Sequence, residues 1–125
     1  MTQRILIVED DPIGQKVVVD CLRAHGYEVS VARTGPEGIE KAASEKPDLV
    51  LCDVLLPQKS GFEVCFEIKR ANTAREVPVI LMSAVCKDAY SEAYASTDLH
   101  AQGYLVKPFS MNAMLERVRQ VLASA

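Results

Sequence analysis

Lys46-Pro-Asp-Leu-Val-Leu-Cys-Asp-Val-Leu-Leu-Pro57 is the most informative passage of the chain. Residues 49–52 are an unbroken apolar run between Pro47 and Pro57, too short for a solvent-facing helix. Such a run is a strand buried on both faces, as in a parallel sheet with helices on either side. It stops abruptly at one acid, Asp53. A carboxylate there can simply cap the turn before Pro57. It can also face a ligand, because open parallel sheets bind ligands beyond the carboxyl ends of their strands. The other strand ends decide between the two.

Upstream, Arg4-Ile-Leu-Ile-Val8 is a second buried run, followed at once by Glu9-Asp10-Asp11. Asp11-Pro12 has the form of an N-cap with proline at the first helical position. The helix expected there carries Ile13, Val17, Cys21 and Leu22 as its apolar stripe and closes at Gly26. Tyr27 to Ala32 is a weaker strand, with Val29 and Val31 alternating. Thr34-Gly-Pro-Glu37 opens another helix, which ends before Pro47.

Downstream, a loop holding Pro57 leads to Gly61 and a helix marked by Phe62, Cys65, Phe66 and Ile68. Pro78 starts the strand Val79-Ile-Leu-Met82, which ends at Ser83. Residues 87–98 have an irregular helical pattern, diluted by Ser91, Ser96 and Thr97. Gly103 precedes a short strand, Tyr104-Leu-Val106, closed by Lys107-Pro108-Phe109. Ser110 caps a last helix with Met111, Leu115, Val118 and Leu122 on one face. Five strand–helix units in strict alternation imply an α/β fold, a doubly wound parallel sheet of the (βα)5 kind with right-handed crossovers.

At 125 residues the chain is expected to be a single domain, 1–125, either free-standing or cut from a longer protein. An apolar fraction of 49% against 25% charged residues excludes a disordered chain. The longest apolar runs fall far short of the roughly 20 residues that cross a bilayer. The start runs straight into a strand, so no signal peptide is expected and the location expected is cytoplasmic. A net charge of -3 gives no general attraction to nucleic acid or to anionic membranes. The four cysteines, Cys21, Cys52, Cys65 and Cys86, lack metal-type spacing and are expected to be reduced thiols. His25 and His100 have no evident catalytic partner and are expected at the surface.

The strong strands end at Glu9-Asp10, Asp53 and Ser83, with Lys107 just after the last. Parallel strands put these ends on one edge, so three acids, a hydroxyl and a lysine converge. Clustered carboxylates raise one another's pKa unless a cation intervenes. An all-oxygen site of this kind suits Mg²⁺, which keeps several waters and binds phosphate oxygens alongside. Lysine and hydroxyl are what a phosphoryl group needs on its remaining oxygens. Asp53 is then a nucleophile that forms an acyl phosphate.

With these residues in view, the whole chain resembles the receiver domain of two-component response regulators. Ile5-Leu-Ile-Val-Glu9-Asp10-Asp11 is similar to that family's acidic-pair strand, and Pro47 to Pro57 with Gly61 resembles its phosphoacceptor strand and loop. Pro78 to Ala84 resembles the strand with the switch hydroxyl, and Gly103-Tyr-Leu-Val-Lys107-Pro-Phe109 the segment with the switch aromatic and the lysine. The resemblance implies a flavodoxin-like strand order 2-1-3-4-5 and a cis bond between Lys107 and Pro108. It implies that Asp53 accepts phosphate from a phosphohistidine on a sensor histidine kinase or phosphotransfer protein. Asp10, Asp53 and the backbone carbonyl of Leu55 would bind Mg²⁺ directly, with Glu9 reaching it through water. Lys107 would contact the phosphoryl oxygens, Ser83 would move to hydrogen-bond them, and Tyr104 would turn inward behind Ser83.

Output would then pass through the face built from the fourth helix, the fifth strand and the fifth helix, to a downstream protein or a fused output domain. His100-Ala-Gln-Gly103 differs from the family's Gly-Ala-x-Asp-like approach to the aromatic, and the stretch from Ser83 to Lys107 is slightly long. Tyr90 and Tyr94, four apart in the expected fourth helix, either cover the edge of the core or, as expected here, leave one ring exposed for a partner. Leu55 and Val85, two residues after Asp53 and Ser83, either pack the loop edges or, as expected here, would form an apolar gate that excludes water from an acyl phosphate and does not orient it.

Such a protein is a switch that helps catalyse its own modification, not a metabolic enzyme. The alternative is a receiver-shaped interaction module that works without phosphate. A flavin or dinucleotide protein is disfavoured, because acids stand after the first strand where G-x-G-x-x-G would be needed. An Asp-x-Asp phosphatase is disfavoured because Val54-Leu55 follows Asp53.

Overall fold

The apolar runs all become strands: β1 (Arg4–Val8), β2 (Glu28–Ala32), β3 (Leu49–Asp53), β4 (Val79–Ser83) and β5 (Gly103–Val106). They are seen in a computed structural model that describes residues 2–71, 76–83 and 101–124. Every pairing is parallel, and the order across the sheet is β2-β1-β3-β4-β5, as expected. β3 lies at the centre with all five residues buried. Among the described residues the helices are α1 (Pro12–Ala24), α2 (Gly35–Glu45), α3 (Gly61–Ala71) and the last helix, α4 (Met111–Ser124). None of them is long and apolar enough to cross a membrane.

The two-residue alternation of the strands divides the core. Leu6, Val8 and Cys52 point to the face covered by Ala42 of α2 and by Val64 and Ile68 of α3. Ile5, Ile7 and Leu51 point to the other face, against Leu22 of α1 and Val118 of α4. Side-chain caps fix where all four described helices begin. Asp11 accepts from the N–H groups of Ile13 (3.3 Å) and Gly14 (3.2 Å), Thr34 from Glu37 (3.2 Å), Ser60 from Glu63 (3.3 Å), and Ser110 from Ala113 (3.0 Å). A cap of this type contributes about 1 kcal/mol. Gly26, just past α1, adopts φ +89°, a conformation that side chains resist.

Two expected helix faces need correction. On α1, Val18, Val19 and Leu22 are buried, while Ile13 and Val17 stand 76% and 49% exposed. The i, i+4 stripe through Ile13 and Val17 is rotated by one residue, roughly 100°, from the face that meets the sheet. On α3, Phe66 is exposed, with the Arg70 guanidinium 5.7 Å from its ring centroid, and Val64, Cys65 and Ile68 carry the packing. The last helix buries Leu115, Val118 and Leu122 as expected, together with Met114 and Val121.

Cys52 and Cys65 are buried and Cys21 is half-buried, none in a disulfide. Burial pushes the Cys65 thiol up to about 11 and Cys52 well above the ordinary thiol value, so both act as small apolar side chains. His25 is exposed, with Nδ1 2.8 Å from the Cys21 carbonyl oxygen. The expected helix over 87–98, with Tyr90 and Tyr94, lies outside the described residues, as do Val85, Cys86 and His100.

The unusual approach to β5 has a structural explanation. The Gln102 side-chain oxygen accepts from the Val79 N–H (2.9 Å) and from Lys69 Nζ (2.7 Å), and its amide donates to Glu76 (2.7 Å). Gln102 thus ties the end of α3 to the entry of two strands. A Cβ on Gly103 would press on Ile80 Cγ1 at 3.2 Å and on the Arg117 stem at 3.3 Å, so the glycine leaves room for Arg117 to lie across β5.

Candidate functional site

β1, β3 and β4 are in register, with Val8 beside Cys52 and Asp53 beside Met82, so their carboxyl ends share one edge. Glu9 follows β1 and is 3% exposed, held by its own N–H to the Ala32 carbonyl (3.0 Å). Asp10 is exposed, Asp53 is 7% exposed, and Ser83, at the end of the neighbouring strand, is fully buried. Lys107 leaves β5 through an N–H bond to the Ser83 carbonyl (2.9 Å) and precedes a cis bond to Pro108, as expected. Its Nζ lies 2.9 Å from Glu9 Oε1 and 3.2 Å from Asp53 Oδ2. One lysine therefore bridges two carboxylates that arrive from different strands.

The charges are unbalanced in a telling direction. Burial, then the contact with Asp53, raises the Glu9 carboxyl to about 7, although Lys107 pulls the other way. Burial works against the Lys107 charge, but the two carboxylates outweigh it and hold its pKa above the ordinary lysine value. Glu9, Asp10 and Asp53 can each bring one carboxylate oxygen within 4.8 Å of the others. Three carboxylates against one ammonium leave negative charge uncompensated. An all-oxygen donor set with one exposed member fits a small, hard, partly hydrated dication such as Mg²⁺.

Glu9, Asp10, Asp53 and Lys107 are thus brought together by contact, and Ser83 joins them by strand register. Tyr104 is buried in the core cluster of the α2–α3 face, deeper along β5 than Val106, which stands beside Ser83. Leu55 meets Asp53 through its amide, which donates to Asp53 Oδ1 at 3.3 Å, while its side chain is 58% exposed. Two supports escaped the sequence reading. Gln15 of α1 donates to the Glu9 carbonyl (2.9 Å), and nothing in its spacing marks it. Gly61 lies against the Asp53 backbone; its place after the loop was visible, but not the closeness of the approach. Beside the acids a groove of about 310 Å³ opens between α1 and the segment after β5, with Val17, Phe109 and Met111 along its wall.

Comparison with known proteins gives the same picture. Residues 5–119 match the sequence profile of the response regulator receiver domain. The chain is 36% identical over 122 residues to response regulator MprA of Mycobacterium ulcerans, covering 98% of this chain and 51% of that protein. It therefore spans about half the length of the curated relatives it matches. The crystal structure of a CheY-like receiver domain protein from Methanospirillum hungatei superposes with a TM-score of 0.90 at 27% identity, covering 99% of this chain and 96% of that one. The response regulator TrrA of Thermotoga maritima, solved in complex with Mg²⁺-BeF, superposes with a TM-score of 0.83 at 31% identity, covering 96% and 99%.

Proposed function

This chain belongs to the response regulator receiver domain family, and we infer from its strand-end geometry that it is a phosphorylation-dependent signalling switch. Residues 1–125 act as one receiver unit in the cytoplasm. Asp53 is the acceptor: a carboxylate oxygen attacks the phosphorus of a partner's phosphohistidine, the N–P bond breaks, and an acyl phosphate forms. The donor is a sensor histidine kinase or a phosphotransfer protein.

Each neighbour has a part in that transfer. Lys107, which bridges Glu9 and Asp53, is already within reach of the oxygens that Asp53 would gain. The buried Ser83 hydroxyl donates to a second phosphoryl oxygen, and Tyr104 behind it fixes the new arrangement. Glu9, Asp10, Asp53 and the Leu55 backbone carbonyl would hold Mg²⁺. Bound there, Mg²⁺ would neutralise the charge gathering on the phosphoryl oxygens. The Mg²⁺-BeF complex of the Thermotoga maritima relative supports this assignment. Output runs through β5, α4 and the segment before β5, to a separate protein or to a fused output domain. Curated relatives of twice the length make the fused arrangement reasonable.

The observation that carries this function is the Lys107 bridge between Glu9 and Asp53. Incubation with acetyl phosphate, with and without Mg²⁺, tests it by intact mass. A Mg²⁺-dependent, base-labile addition of one phosphoryl group is expected. No addition to folded protein would contradict the switch and favour an interaction module that works without phosphate.

A further inference from the structure

β2 is the edge strand of the sheet, so among the described residues no strand lies along one side of its backbone. Glu28 N–H bonds to the Gln3 carbonyl and the Ala32 carbonyl accepts from Glu9, both at 3.0 Å, so these residues face β1. Successive peptide groups in a parallel ladder point to opposite sides, which turns Val29 and Val31 outward. Both outward carbonyls are occupied by cations. Arg23 Nη2 of α1 donates to Val29 O at 3.3 Å, and Lys41 Nζ of α2 donates to Val31 O at 2.6 Å. α1 and α2 cover opposite faces of the sheet, so the edge is closed from above and below.

Unpaired strand edges are templates for pairing with another chain, and charged side chains are a common defence. The edge here suits a second copy of this chain. Val29 and Val31 are symmetric about Ser30, so two β2 strands related by a two-fold axis at Ser30 would run antiparallel. Val29 of one copy would then stand opposite Val31 of the other, and every outward N–H and C=O would be paired. A trough of about 630 Å³ beside the edge, lined by Arg23, Tyr27 and Ser30 among others, leaves space for the approach. The geometry points to a guarded edge: Arg23 and Lys41 hold the outward carbonyls of β2 and keep two copies from joining their sheets there.

The double substitution Arg23→Ala with Lys41→Ala tests this by size-exclusion light scattering and amide exchange over a range of concentrations. It removes two positive charges from a chain of net charge -3, so simple repulsion between copies would grow. The guarded edge nevertheless requires the mass to double with concentration and the Val29 and Val31 amides to become protected. Adding Val31→Pro removes an outward N–H without touching the β1 ladder and should restore the monomer. Lys16→Ala with Arg119→Ala, the same loss of charge elsewhere, should stay monomeric. Should Lys41→Ala prevent folding, Lys41→Met retains the stem without the donor and carries the same expectation. A double variant that stays monomeric, a proline variant that stays associated, or a control that associates equally would each overturn the inference.

Discussion

Gly61 and Asp53 are in backbone contact: a Cβ on Gly61 would collide with the Asp53 carbonyl oxygen and stand 2.7 Å from Val54 Cα. The Gly61 N–H also donates to the Val54 carbonyl at 2.8 Å, so the first residue of α3 is seated on the strand end that presents the proposed acceptor. Neither obstructing atom belongs to a side chain that could swing away. Gly61→Ala should therefore lower stability by about 1–3 kcal/mol in urea denaturation, the range of an overpacked site. It should also slow phosphorylation by acetyl phosphate, since relief requires moving Asp53. A loss below about 0.5 kcal/mol with an unchanged rate would mean that the loop absorbs the methyl group freely.

The raised Glu9 carboxyl predicts how stability follows pH. In the folded chain it titrates near 7, against an ordinary value of 4.5. Between those values the folded state holds a proton that the unfolded chain releases. Its stabilising effect is complete below pH 4.5 and is lost as pH rises through about 7. The raised Lys107 pKa lies well above this window and does not contribute there. Without Mg²⁺, thermal stability relative to Glu9→Gln should fall between about pH 5 and about pH 8, following the Glu9 shift. Mg²⁺ should raise the melting temperature more at the upper end, where it need not displace the proton. Asp10→Asn should blunt that rise, and an equal response from parent and variant would misplace the metal.

Leu55 is expected to lengthen the life of an acyl phosphate at Asp53. Its side chain is 58% exposed on the loop just after Asp53, and water attacking an acyl phosphate on Asp53 in line with its bond would pass it. An apolar side chain can neither orient that water nor bond to it. Leu55→Asn, alone or with Val85→Glu, should speed phosphate loss with Mg²⁺ present and no kinase. A tenfold change needs only about 1.4 kcal/mol of barrier. Equal decay rates would leave Leu55 as loop packing.

Gln102 offers a test away from the site. Gln102→Ala removes the acceptor of the buried Val79 N–H and one partner of Lys69, 33 residues away in sequence, which also pairs with Glu76. An orphaned buried donor costs about 1–3 kcal/mol. Urea denaturation should show a loss in that range with phosphorylation by acetyl phosphate unaffected. A neutral substitution would mean that water replaces the amide.

How legible all this was in the sequence depended on whether local chemistry or a distant contact decided the matter. Ile5 to Val8 and Leu49 to Cys52 are buried on both faces, so their strands announce themselves as apolar runs, and the acids after them stand out by contrast. The parallel ladder then brings Glu9, Asp53 and Lys107 to one edge almost without further choice. The α1 face was misread because the exposed Ile13 and Val17 are as apolar as the buried Val18 and Leu22, and only docking on the sheet distinguishes them. Gln15 and Gln102 were invisible in their roles, since an amide shows nothing of the partner it will meet 6 or 33 residues away. The Arg23 and Lys41 caps on β2 required knowing which strand lies at the edge.

The decisive measurement is which residue takes the phosphoryl group. After incubation with acetyl phosphate and Mg²⁺, borohydride reduction converts an aspartyl phosphate to homoserine, which peptide mass spectrometry places in the chain. Homoserine is expected at position 53 in the parent and nowhere in Asp53→Asn. Homoserine at Asp10, Asp11 or another acid in the parent, or phosphoryl retained by folded Asp53→Asn at the parent's level, would contradict Asp53 as the acceptor.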